Sequence, residues 1–108
     1  MTAGAALRFV GEHPVALFNV KLMKVGGIQA AHEICGIAAA GRKRVMIGCM
    51  DEAALAIVAG LHLALSSPVV AYADLDGHIA FEGDPTTDAL ILRDGRLRPS
   101  DAPGLGLA

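Results

Sequence analysis

Apolar residues along this chain switch between a helical period and short continuous runs, and glycine, proline or charge marks each switch. From Ala3 to Gly11, Ala5, Ala6, Phe9 and Val10 can share one face, which predicts a short helix with Thr2 as its cap. His13-Pro14 ends it, because the residue before a proline is pushed out of the helical region. Val15 to Met23 reads as a strand. Gly26-Gly27 breaks it and opens a helix over Ile28 to Ala40, apolar at Ile28, Ala31, Ile34, Cys35 and Ala38. Gly41 stops that helix, and Arg42-Lys43-Arg44 reads as a solvated turn. Val45 to Cys49 is a second strand. A helix over Ala53 to Leu65 follows, with Asp51-Glu52 at its start, where the macrodipole favours acid. Ser66-Ser67-Pro68 closes that helix, and Val69 to Ala73 is a third strand stopped by Asp74-Leu75-Asp76-Gly77.

Strands separated by helices of this length predict parallel pairing through right-handed crossovers, hence an α/β fold. The tail differs: Ala89 to Leu97 reads as two short strands around Asp94-Gly95, a hairpin signal.

Composition adds one tension. The chain has 108 residues, 54% of them hydrophobic, and a mean hydropathy of +0.51. A domain this small has much surface to cover with polar groups, so the excess implies a face meant to be covered by something else. No apolar run reaches the roughly 18 residues of a membrane span, and the N-terminus lacks the layout of a signal peptide. The net charge of −2, with acids and bases mixed, argues against nucleic acid or an anionic membrane as partner. Cys35 and Cys49 lack metal-ligand spacing and read as reduced thiols in a cytoplasmic protein.

In a parallel βα array, ligands meet the carboxyl ends of the strands. Here those ends carry Lys21 and Lys24, then Cys49-Met50-Asp51-Glu52, then Asp74 and Asp76, while the strand bodies are almost free of charge. Alternation on the first strand puts Asn19, Lys21 and Met23 on one face and Phe18, Val20 and Leu22 on the other. If the apolar set packs on helices, Asn19 and Lys21 point inward. A lysine there loses part of its hydration and can act as a proton base; alternatively it snorkels to water. Asp74 and Asp76 share a face and could hold an ammonium group or a divalent cation, or simply close a turn. Glu52 reads as a helix cap or a supporting group. No histidine pair, dinucleotide fingerprint, phosphate loop or nucleophile elbow is present.

Asn19-Val20-Lys21-Leu22-Met23-Lys24-Val25-Gly26-Gly27, Ile47-Gly48-Cys49-Met50-Asp51-Glu52 and Asp74-Leu75-Asp76, in this order, resemble the C-terminal part of the enolase superfamily. Within its muconate lactonizing subgroup, alongside mandelate racemase, the likeness is to the dipeptide epimerases, typified by L-Ala-D/L-Glu epimerase. The Asp-x-Asp is what favours dipeptides, and Pro103 to Leu107 resembles the usual end of these chains. The resemblance implies the C-terminal portion of a TIM (β/α)8 barrel, about three βα units corresponding to strands six to eight, over residues 1–88, with a hairpin and tail over 89–108. It makes Lys21 one of two bases facing each other across the substrate α-carbon. It assigns Asp74 and Asp76 to the dipeptide's α-ammonium and Cys49, Met50 and Asp51 to the pocket wall. Glu52 and Lys24 become supporting residues, with Asp51 standing where a leucine is common.

The resemblance also implies Mg2+ as cofactor, with its three acidic ligands and the second base on strands that this sequence does not contain. The expectation is a dipeptide epimerase-like isomerase that is inactive alone and needs a barrel-completing chain or homo-oligomer. Two alternatives stay open: a muconate cycloisomerase or o-succinylbenzoate synthase relative, and a non-catalytic remnant or assembly partner.

Overall fold

The computed structural model describes residues 1–107. Helix α1 spans Ala3–Glu12, with the Thr2 hydroxyl accepting from the Ala5 N–H at 3.2 Å. Strand β1 (Leu17–Lys21) leads into one helical turn, α2 (Leu22–Val25), and then into α3 (Ile28–Ala40). Strand β2 (Arg44–Gly48), helix α4 (Ala54–Ser66) and strand β3 (Val70–Ala73) complete a three-stranded parallel sheet of order β1-β2-β3. A 3-10 turn (Thr87–Ala89) precedes the antiparallel hairpin of β4 (Leu90–Arg93) and β5 (Arg96–Pro99). This is the α/β fold of parallel βα units plus a hairpin that the sequence predicts.

The core lies between the sheet and the helices. Phe18, Val20, Val45 and Ile47 meet Ala31, Ile34, Cys35 and Ala38 of α3 and Ala59 and Leu63 of α4. A second cluster joins Ile57 and Val58 of α4 to Ala89 and Leu90, so the hairpin docks on the same helix.

Five expectations change. The first strand stops at Lys21 rather than Met23, because the N–H groups of Gly26 and Gly27 both reach the Leu22 carbonyl, at 3.1 and 2.9 Å, and fold Leu22–Val25 into a turn. Gly26 takes φ 104° there, a conformation glycine adopts without strain. Met23 therefore leaves the face of Lys21 and is exposed. On α3, Ile28 faces solvent, since the double-glycine turn starts the helix beyond the sheet's cover. On α1 only Ala6 is buried, and Phe9 packs instead on the His13 ring at 4.9 Å. Arg44 belongs to β2, not to a turn, with its guanidinium 5.3 Å from the centre of the Tyr72 ring. Finally, the acid that caps α4 is not Glu52, as the site below makes clear.

Candidate active site

Register builds the site. Leu17 pairs with Arg44, Asn19 with Met46 and Lys21 with Gly48 across β1 and β2. Met46 pairs with Tyr72 and Ile47 with Ala73 across β2 and β3. The Asp74 N–H donates to the Ile47 carbonyl at 2.9 Å, which completes the Ile47–Ala73 pair and holds Asp74 at the end of β3, beside the end of β2. Alternation puts Val20 and Ile47 toward the helices, where both are fully buried. The other face carries two layers above Arg44: Asn19, Met46 and Tyr72, then Lys21 and Gly48 at the carboxyl end, where Asp74, the residue after β3, follows by alternation. Adjacent strands stand about 4.8 Å apart, so the Lys21 and Asp74 Cα atoms lie ~10 Å apart across one glycine.

The glycine leaves room that its neighbours fill. A Cβ at Gly48 would meet the Asn19 Oδ1 at 2.6 Å, the Lys21 Cε at 3.3 Å and the Lys21 Cγ at 3.4 Å. The Lys21 stem thus lies along β2, half-buried, rather than running straight to solvent.

The two loops beyond β2 and β3 are fitted to each other. A side chain at Gly77 would overlap the Met50 carbonyl, and the Cys49 Sγ stands 3.8 Å from the Asp76 Oδ1. Burial pushes the Cys49 thiol above its ordinary value; backbone N–H groups of Gly77 and Asp76 oppose this, and the carboxylates of Asp76 and Asp74 add to it. Both acids of the Asp-x-Asp therefore exert their charge on this thiol. Leu75 points the other way, against Gly60 of α4. Asp51, Met50, Asp74 and Asp76 are exposed.

Glu52 is the buried charged residue of the core, at 5% exposure, and its Oε1 accepts from the Met50 N–H at 2.7 Å. It braces the loop from below and does not cap α4. That cap comes from 30 residues downstream: the Asp84 Oδ2 accepts from the Ala54 N–H at 2.6 Å and the Thr86 Oγ1 from the Leu55 N–H at 3.0 Å. Asp84 also accepts from the Thr86 N–H and hydroxyl, and these bonds hold its carboxyl below the usual range, the Ala54 N–H contributing most. Lys24 sits exposed on α2, away from the Lys21 row.

An open cleft of ≈ 600 Å³ follows the free side of β3, walled by Leu61, Leu75, Leu92 and Leu97 and reached by Asp74 and Asp76. Lys21, two strands away, does not line it. Magnesium favours an octahedral shell of oxygens. Among the described residues no three His, Cys, Asp or Glu side chains come together.

The sequence singles out Lys21, Asp74, Asp76 and the 49–52 loop, and the structure gathers these at one end of one sheet. It separates Lys24 from them. Gly48, Gly77, Asp84 and Thr86 are the residues that sequence reasoning passes over. A glycine inside a strand is a sign of close backbone or side-chain approach, so Gly48 carried a usable signal. The Asp84–Ala54 bond spans 30 residues with no local spacing to reveal it.

Comparison with known proteins identifies the family. The family model described as enolase C-terminal domain-like matches residues 2–108. An L-Lys-D/L-Arg epimerase of Methylococcus capsulatus is 47% identical over 84% of this chain and 26% of its own length. An L-Ala-D/L-Glu epimerase of Clostridium acetobutylicum is 35% identical over 94% of this chain and 28% of its own. The crystal structure of the dipeptide epimerase from Methylococcus capsulatus complexed with Mg ion superposes with a TM-score of 0.91 at 40% identity, over 97% of this chain and 31% of that one. The same enzyme has also been seen with Mg and the dipeptide L-Arg-D-Lys. The chain spans less than a third of the length of these relatives. With the three strand ends and the spacing between them accounted for, this chain belongs to the enolase C-terminal domain-like family, among relatives that are dipeptide epimerases.

Proposed function

We propose that this chain supplies one wall of a dipeptide epimerase site, in which Lys21 moves the α-proton of the second residue. Asp74 and Asp76 hold the dipeptide's terminal ammonium, while Cys49, Met50 and Asp51 line the substrate. Glu52 supports that loop, and Lys24 supports the turn after β1. Residues 1–88 form the barrel portion and 89–108 the hairpin and tail.

What supports this reading is the order Lys21, Gly48, Asp74 across the carboxyl ends of three adjacent strands, with one side-chain-free residue between a base and an acid. In a dipeptide the terminal ammonium and the second α-carbon are about 5 Å apart. That span fits between a lysine and an aspartate whose Cα atoms stand ~10 Å apart, each reaching inward. The carboxylates offer an ammonium charge-assisted hydrogen bonds. Proton transfer from a carbon next to a carboxylate demands a positioned base and strong stabilisation of the developing negative charge. Lys21 meets the first demand. The second, with the opposing acid and the magnesium seen in relatives, comes from groups outside this chain.

The chain alone is therefore expected to turn over no dipeptide, and a barrel-completing chain or a further copy is its partner. We place it in the cytoplasm; among the described residues no helix is long and apolar enough to cross a membrane.

The test is a chimera in which this chain replaces the matching segment of the Methylococcus capsulatus epimerase. Asp76→Asn in that chimera is expected to raise KM for L-Ala-L-Glu and L-Lys-L-Arg by about 10-fold or more, as loss of a charge-assisted bond implies. Unchanged dipeptide turnover would remove the ammonium-binding role.

A further inference from the structure

We propose that Gly48 is the positioning residue for Lys21: its missing side chain is the bed that turns the lysine stem across β2 toward Asp74. The inference rests on the reading of Lys21 as the base and adds what aims it. A lysine has four rotatable bonds and a strongly hydrated head, so an unrestrained one at a strand end extends into water. The Lys21 stem crosses Gly48 before its head reaches water: its Cγ and Cε both lie within van der Waals range of the point where a Gly48 Cβ would stand, at 3.4 and 3.3 Å. Contact at two carbons of one stem fixes a direction, and β2 lies between β1 and the strand that carries Asp74.

The need at position 48 is one of space rather than of backbone freedom. Gly48 is not among the residues with positive φ, so alanine is conformationally acceptable there. What alanine would meet is the Asn19 Oδ1 at 2.6 Å, closer than real Cβ contacts, and the lysine stem. Asn19 stands one layer below in the same sheet face and is exposed, so its amide can swing aside; the lysine stem is what a new methyl crowds off β2. β2 is paired on both sides, with β1 and with β3.

Displacement of a base by about 1 Å can cost on the order of 100-fold in rate while leaving binding intact. Gly48→Ala in the chimera is therefore expected to lower kcat about 10- to 100-fold, with KM within about 3-fold. The primary isotope effect with α-deuterated dipeptide should rise as proton abstraction becomes the slow step. A general loosening of the fold would not produce that combination.

A second measurement needs no activity. In the chimera, labelled selectively at lysine and glycine, Lys21 side-chain protons should show nuclear Overhauser contacts to the Gly48 α-protons. Absence of these contacts overturns the proposal. So does a chimera in which Lys21→Ala abolishes turnover but Gly48→Ala leaves kcat and the isotope effect unchanged, with Lys21 still standing as the base. If Lys21→Ala leaves turnover intact, the base assignment itself falls, and the positioning role falls with it.

Discussion

Lys21 reaches its place through three other residues: Val20 buried behind it, Gly48 without a side chain beside it and Leu22 buried in front. Strand parity made the inward side of β1 legible, because Phe18 and Val20 could only be the helix-facing pair. Parity failed two residues later, at Met23, where backbone hydrogen bonds from Gly26 and Gly27 outweigh the β-forming pattern. The other residue with a sharp consequence is Gly77. Its substitution by alanine pushes a methyl into the Met50 carbonyl, which is backbone and cannot swing aside. Gly77→Ala is expected to cost about 1–3 kcal/mol, the usual range for overpacking. Urea denaturation followed by circular dichroism checks this; a loss under 0.5 kcal/mol, roughly the scale of a neutral surface change, would mean the two loops are not fitted as described.

Among the elements, α4 depends on a segment far away in sequence. Asp84 and Thr86 satisfy two of its first free N–H groups and so fasten the segment after β3 to the helix that follows β2. Asp51-Glu52 looked like the cap because acid at a helix start is favourable anywhere near the first turn. The long-range partner won because its carboxylate points along the free N–H groups, while Glu52 turns back to Met50. Thr86→Val is expected to lower stability by about 1 kcal/mol, measured as a shift of the thermal midpoint with unchanged helix content.

Asp84 gives this clamp a pH dependence. Its folded-state carboxyl is held below the unfolded value by the Ala54 N–H, then by Thr86. The stabilisation is therefore complete above the unfolded value and is lost as pH falls through the folded one. Unfolding midpoints taken downward from about pH 4 should fall more steeply for the native chain than for Asp84→Asn. Parallel curves would deny Asp84 a share in the acid sensitivity.

For the whole molecule, the surplus of apolar residues in the sequence has its counterpart in shape. The accessible surface is 6543 Å², against about 5,700 Å² for a folded monomer of this mass. The radius of gyration is 14.2 Å, against about 13 Å for a compact chain of this length. The principal extents of 44 × 24 × 21 Å describe an elongated body, not a closed one. Both outer strands, β1 and β3, are sheet edges. Tyr72, Ile79 and Leu92 lie exposed on the β3 strand, the following loop and the hairpin. Unpaired edges with apolar surroundings recruit further strands. The isolated chain is accordingly expected to sediment as species heavier than 11.1 kDa, and a monodisperse monomer at micromolar concentration would contradict this.

Parallel βα order and the charged strand ends could be read from the sequence, because period and alternation are local. The fit between loops could not, since Gly48, Gly77 and Asp84 act on partners across the sheet or 27 to 30 residues away. The claim on which the rest depends is that Lys21 and the Asp74–Asp76 pair serve one dipeptide from one face. It is tested most directly by proton NMR of dipeptide in D2O with the chimera. The native chimera should exchange the α-proton of the second residue for deuterium, and Lys21→Ala should slow that exchange by about 100-fold or more. The loss belongs to the one epimer whose α-proton faces Lys21; exchange that continues undiminished with both epimers of the second residue would contradict the account.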